Sequence, residues 1–237
     1  MSQLLSVKNL HVAFDGRGIL EDIDFTVDSG EVLAIIGPNG AGKTVLFKTL
    51  LGLEKPTTGT IEWRPGVKIG YVPQRFEIEI DLPLTTREFL YLRGGDVSES
   101  KIGEVMNLVG MKAEILNRRF SDLSVGQRQR ILVAWAMMND PEILLFDEPT
   151  ADIDVSGQQS IYHLLRQLQD KKGFAVILIS HDLSIVYRYS DQVLCLNRRK
   201  LCFGTPREVL SAEQLAELYG GEHGFYQHLE KSFHHHD

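Results

Sequence analysis

The chain has 237 residues, 43% hydrophobic and 24% charged, and a formal net charge of −7, a balance that suits one large α/β domain or two small ones. An acidic chain without a Lys/Arg tract lacks the footprint of a nucleic-acid binder, and no apolar run approaches the roughly 20 residues of a membrane-spanning helix. Residues 1–10 carry neither a basic nor a long apolar region, so no signal peptide is expected, and two cysteines, Cys195 and Cys202, fit a reducing compartment better than a disulfide framework.

In chain order, Leu5, Val7, Leu10 and Val12 mark a first strand. Ile23, Phe25 and Val27 alternate with Asp24, Thr26 and Asp28, the pattern of a half-buried antiparallel strand that turns at Asp28-Ser29-Gly30. Val32–Ile36 is apolar throughout, as in a strand buried on both faces of a parallel sheet. The Gly-rich stretch 37–42 leads into a helix over 43–51, with Gly52 just past its end. The region 82–138 turns helical, with helices over 85–92, over 99–109 and from Val125, and reads as an insertion between two halves of the sheet. Then come a buried strand at 143–146, an amphipathic helix at 158–170, a third buried strand at 176–179 and a short helix over Leu183–Tyr189. A hairpin joins 193–196 to 200–203. A tight turn on Arg198-Arg199 would pair Asn197 with Lys200 and hence Cys195 with Cys202. One helix is expected over 206–218, stopping at Gly220-Gly221.

Gly37-Pro38-Asn39-Gly40-Ala41-Gly42-Lys43-Thr44 matches the pattern G-x-x-x-x-G-K-[ST]. Its glycines let the backbone turn tightly and aim N–H groups at phosphate oxygens, and the following helix adds its positive end. Lys43 would reach the β- and γ-phosphates, and the Thr44 hydroxyl would ligate Mg2+. A bare Gly-rich turn is the alternative, and the position between a buried strand and a helix counts against it. Asp147 and Glu148 stand at the end of the second buried strand, the edge where open α/β sheets bind ligands. There Asp147 would hold Mg2+ and Glu148 would polarise the attacking water as general base. Otherwise they are solvated strand-end acids. His181 follows the third buried strand, where it could hydrogen-bond a γ-phosphate or orient Glu148, or equally cap the helix that starts near Asp182.

The order of phosphate loop, Gln74, Leu123-Ser124-Val125-Gly126-Gln127, Asp147-Glu148, Asp154 and His181 resembles the ATP-binding cassette ATPases, over roughly residues 5–220. The resemblance implies an α/β P-loop (RecA-like) core with an antiparallel β subdomain. It implies a cassette over 1–221 with the helical subdomain inserted at about 83–138, then a His-containing tail at 222–237. It implies ATP and Mg2+, with Lys43, Glu148 and His181 catalytic and Thr44, Gln74 and Asp147 around the metal. Phe14 would stack on adenine where the family usually has Tyr; stacking needs only a π face. Ser124, Val125, Gly126, Gln127 and Asp154 would serve the nucleotide of a second cassette, giving a head-to-tail homodimer around two ATP molecules. Val125 stands where the family usually has a glycine. A β-branched residue disfavours positive φ, so helical or extended dihedrals are expected there. Asp152 adds an acid with no evident role.

Within that family, Ile69-Gly70-Tyr71-Val72-Pro73-Gln74, Leu82-Pro83-Leu84-Thr85, Phe89-Leu90, Gly157-Gln158, Val193-Leu194-Cys195-Leu196-Asn197, Cys202 and Gly204-Thr205-Pro206 are similar to the ATPase subunits of zinc and manganese uptake systems. Those subunits serve two transmembrane permease subunits at the cytoplasmic face of the membrane and, indirectly, an extracytoplasmic metal-binding protein; no nucleic acid is involved. The competing readings are a soluble cassette outside transport, which usually doubles the cassette or adds a long coiled coil, and an exporter cassette, often fused to membrane helices. Neither mark is in the sequence. Cys195 and Cys202 read as two small buried residues, with a redox or metal site as the alternative. Five of the eight histidines, His223, His228, His234, His235 and His236, fall in the tail. They read as a solvated end, a tag remnant or a weak site for the imported metal.

Overall fold

The alternating apolar residues at the start fold as two long antiparallel strands, β1 (Gln3–Phe14) and β2 (Arg17–Asp28), in a computed structural model that describes residues 2–74, 83–94, 97–148 and 155–220. The all-apolar run becomes β3 (Val32–Ile36), buried at every residue. After the phosphate loop comes α1 (Lys43–Leu50). Burial of Leu46, Phe47 and Leu50, at about 1.5–3 kcal/mol each, holds this short helix in place. β4 (Thr58–Trp63), which the sequence reading does not single out, pairs antiparallel with β1.

β5 (Ile69–Val72) leads to the helices α2 (Thr86–Tyr91) and α3 (Glu99–Leu108), then to 3-10 turns at Ala113–Asn117 and Phe120–Asp122. α4 (Val125–Met137), β6 (Ile143–Asp147) and α5 (Val155–Lys172) follow. Thr85 and Glu88 form a capping box that starts α2. Phe89 stacks on Phe120 with centroids 4.3 Å apart and tilts against Trp135 at 6.3 Å, an aromatic seam through these helices.

The chain continues through β7 (Ala175–Ile179), α6 (Leu183–Tyr189), β8 (Gln192–Asn197), β9 (Arg199–Gly204), α7 (Pro206–Val209) and α8 (Ala212–Tyr219). The described residues group into two compact units, one drawn from Met1–Val67 and Ala175–Asp237 and the other from Lys68–Phe174. In the first, strands run in the order β4-β1-β2-β9-β8-β3-β7. β3 is parallel to both β7 and β8, and β1 is antiparallel to its two neighbours. In the second, β5 and β6 pair in parallel, with Tyr71 opposite Leu145 and Val72 opposite Phe146. Beyond the helices expected at 83–138, this second unit takes in β5, β6 and α5.

Two expectations change. The helix over 206–218 is two helices, because the Ser211 side chain accepts the Gln214 N–H and starts α8 afresh, while Leu210 leaves helical geometry at ψ 39. The β8–β9 turn centres on Arg198 alone, at φ 62, so Asn197 pairs with Arg199 and not with Lys200. Cys195 nevertheless faces Cys202 as expected, because Leu201 is an extra residue that bulges β9. The two sulfurs are bonded, the redox alternative to a pair of small buried residues, because the pairing brings their Cα atoms within 4.9 Å. No helix among the described residues is long and apolar enough to cross a membrane. Asp152, Asp154 and the histidine tail lie outside the described residues.

Candidate functional site

In the first unit, β3 delivers the chain to the phosphate loop, whose glycines answer to the surrounding backbone. A Cβ on Gly37 would lie 1.9 Å from the Leu196 carbonyl oxygen, so only hydrogen fits. Gly42, at φ 96, is the N-cap of α1, and a Cβ there would meet Leu20 at 2.6 Å. Pro38, Asn39, Gly40 and Ala41 make the turn between them, closed by the Ala41 N–H donating to the Pro38 carbonyl at 3.2 Å. From the β8–β9 turn, the Arg198 N–H donates to the Ala41 carbonyl at 2.9 Å. The Lys43 ammonium, 7% exposed, reaches across the loop to the Gly37 carbonyl at 2.8 Å and the Pro38 carbonyl at 3.1 Å. No side chain caps α1 and its first turn holds no acid, so its leading N–H groups suit an anion. Thr44 is exposed in that first turn. Phe14 ends β1 with 41% of its surface exposed, a π face open to a base.

His181 follows β7 and the buried Ser180. The cap of α6 is Asp182, whose carboxylate accepts the Ser184 N–H at 2.8 Å and the Ile185 N–H at 3.2 Å. Capping therefore does not account for His181.

In the second unit, β6 ends on Asp147, only 3% exposed. Glu148 then leaves the strand at φ 40, the left-handed region that a Glu rarely adopts. The Gln74 side-chain N–H donates to the Glu148 carboxylate at 2.9 Å, joining the segment after β5 to the end of β6. Sequence reasoning missed Tyr71. The parallel register sets it opposite Leu145, two residues before Asp147 on the same face. Its hydroxyl donates to Asp147. Burial first, then the charge and hydrogen bond of that carboxylate, push the Tyr71 hydroxyl up to about 12. The signal was the alternation in β5, where Gly70 and Val72 are buried and Tyr71 takes the other face.

α4 starts at the expected signature segment. The Ser124 hydroxyl accepts the Gln127 N–H, and the Gln127 side-chain oxygen accepts the Ser124 N–H, a closed capping box. Val125 is the first helical residue, 38% exposed and without positive φ, as its branched side chain requires. A Cβ on Gly126 would meet nothing within 4 Å.

A glycine loop between a buried parallel strand and an uncapped helix, with a lysine laid across it, defines a P-loop nucleotide-binding protein. Its comparisons with known proteins agree. Residues 20–151 match the ABC transporter family. The chain is 41% identical to the zinc import ATP-binding protein ZnuC of Photorhabdus laumondii subsp. laumondii, over 94% of this chain and 86% of that one. It is 39% identical to the protein of the same name from Pseudomonas aeruginosa, over 99% and 85%. Among solved structures it superposes on a metal-chelate type ABC transporter in an inward-facing conformation with a TM-score of 0.84 and 28% identity, covering 93% of this chain and 90% of that one. It superposes on cbiO1 from Clostridium perfringens, part of the ABC transporter complex cbiONQ, with a TM-score of 0.79 and 25% identity, covering 98% and 100%. The chain belongs to the ABC transporter family, as an ATP-binding cassette that hydrolyses ATP with Mg2+.

Proposed function

We propose that this cassette drives uptake of a divalent metal ion, zinc by its relatives' function, through a separate permease. Two copies would work head to tail at the cytoplasmic face of the membrane, with two permease subunits and, indirectly, an extracytoplasmic metal-binding protein. The cassette would span 1–221 and carry 222–237 as a tail. Support for zinc comes from the relatives named above, 39–41% identical over nearly the whole chain.

The residues divide the chemistry as follows. Lys43 and the N–H groups of the loop from Asn39 to Thr44 hold the β- and γ-phosphates, while Gly37 and Pro38, the latter without an N–H, shape the turn. Phe14 stacks on the adenine. Thr44, Asp147 and the Gln74 amide oxygen are hard oxygen donors that fit Mg2+, which supplies charge neutralisation at the phosphates. Tyr71 holds Asp147 in place as it donates to it. Glu148 takes the proton of the water that attacks the γ-phosphorus. His181 donates to the γ-phosphate oxygens. Ser124, Val125, Gly126 and Gln127, with Asp154, close over the partner's nucleotide.

The bond from Gln74 to Glu148 at 2.9 Å carries this reading, because it ties the general base to the residue that precedes the helices. The test is Glu148→Gln, assembled in vesicles with the permease and binding protein. It should bind Mg-ATP as wild type does, lose about 10²–10⁴ in hydrolysis and stop zinc uptake. Turnover at the wild-type rate removes Glu148 from the base role, and ATP-driven uptake of some other solute by the wild type removes zinc.

A further inference from the structure

We propose that Cys195 and Cys202 form a reversible thiol–disulfide site, oxidised by peroxide, whose state sets how tightly the neighbouring phosphate loop holds ATP. The idea goes beyond metal import and needs only ATP binding at that loop. The two cysteines face each other across β8 and β9 with Cα atoms 4.9 Å apart and sulfurs joined. They are the chain's only cysteines. Their bond closes a ring over residues 195–202, and what that ring carries is the reason to assign it a role.

The tip of the ring is wedged between the phosphate loop and β2. Cys195 pairs with Ile36, the residue before Gly37. The Leu196 carbonyl fills the space where a Gly37 side chain would stand. The Arg198 N–H holds the Ala41 carbonyl at 2.9 Å, and the Arg198 carbonyl accepts the Glu21 N–H at 2.7 Å. The Lys200 ammonium donates to the Asp24 carbonyl at 3.0 Å. All of these contacts lie within one of the two compact units. The bulge at Leu201 sits inside the ring, so the strand pairing there has an unpaired residue that the sulfur–sulfur bond pins. Closing so short a ring does little for the unfolded state, since short loops gain least from closure. Its effect falls on the geometry of the tip.

The two thiols are unequally placed, as a peroxide-reactive pair requires. Cys202 is partly exposed and Cys195 is 1% exposed, inside an apolar cluster with Ile36, Val186, Val193 and Leu215. The Cys202 thiolate attacks one oxygen of hydrogen peroxide, the O–O bond breaks and hydroxide leaves, giving Cys202 sulfenic acid. The Cys195 thiol then attacks that sulfur, the S–O bond breaks and water leaves with the thiol proton. Two electrons pass from the two sulfurs to the peroxide. Reduction runs through thiol exchange with a small dithiol, which enters at the exposed Cys202 side.

The experiment uses the purified full chain, treated with hydrogen peroxide or with dithiothreitol. Alkylation after denaturation, read by intact mass, should find no reactive thiol in the first sample and two in the second. A fluorescent ATP analogue with Mg2+ should bind the oxidised form about three- to tenfold more tightly, because the braced loop is already in its binding shape. Cys202→Ser should bind like the reduced form with or without peroxide. Should that variant not fold, the two wild-type samples decide alone. Thiols that remain fully alkylatable after peroxide overturn the proposal, and so does equal nucleotide affinity in the oxidised and reduced forms.

Discussion

The phosphate loop and the start of α4 both place glycine at the head of a helix, for opposite reasons. Gly37 and Gly42 are demanded from within: a side chain on either would strike Leu196 or Leu20 of the same chain. Gly126 is demanded by nothing nearby, since a Cβ there meets no atom within 4 Å. The helix ends differ in the same sense. α1 has no side-chain cap, so its first N–H groups suit a ligand, whereas Ser124 and Gln127 cap α4 with its own side chains. One turn is thus shaped entirely by its own chain. The other keeps a small residue that its own chain does not use, which on the proposed dimer leaves room for the partner's phosphates.

Substitutions can break this contrast, beginning with the largest effect. Gly37→Ala should destabilise the fold by roughly 3 kcal/mol or more, lowering Tm by about 10 °C, and abolish nucleotide binding. A variant with wild-type Tm and ATP affinity would show that Leu196 yields. Gly126→Asp should change stability by less than about 0.5 kcal/mol and leave ATP binding to the monomer intact. It should cut hydrolysis by about 100-fold or more, because on the proposed dimer a carboxylate then faces the partner's phosphates. Normal hydrolysis by this variant would mean that α4 serves no second nucleotide. The smallest effect falls on the acidic strand end. Tyr71→Phe removes one hydrogen bond to Asp147, about 1 kcal/mol. The fold favours the neutral Tyr71 hydroxyl, whose pKa rises from 10.0 to about 12. Its contribution is therefore complete below pH 10 and is lost as pH climbs towards 12. Denaturant unfolding should find the wild-type advantage over Tyr71→Phe shrinking across that window; a constant difference would deny the bond.

What the sequence disclosed followed burial and backbone demand. Val32–Ile36 and the strands ending at Asp147 and Ile179 were legible because a strand buried on both faces must be apolar at every position. The phosphate loop was legible because its glycines are steric necessities. The features missed depend on local competition or on pairing between distant residues. Ser211 captures a backbone N–H and splits an otherwise continuous helical pattern. The one-residue turn at Arg198 and the bulge at Leu201 offset each other, so the cysteine pair was foreseen through a turn that is not there. Tyr71 acquires its partner only through the register of two strands far apart in sequence.

The backbone of Glu148 has one more consequence, for laboratory evolution. A non-glycine residue at φ 40 carries strain of about 1–2 kcal/mol, which glycine would relieve and asparagine would lessen. With Glu148 as the proposed general base, stability and turnover pull this position in opposite directions. A library randomised at codon 148 and sorted only for heat resistance should enrich Gly and Asn and return well-folded, inert proteins. The same library sorted for ATP hydrolysis should return Glu.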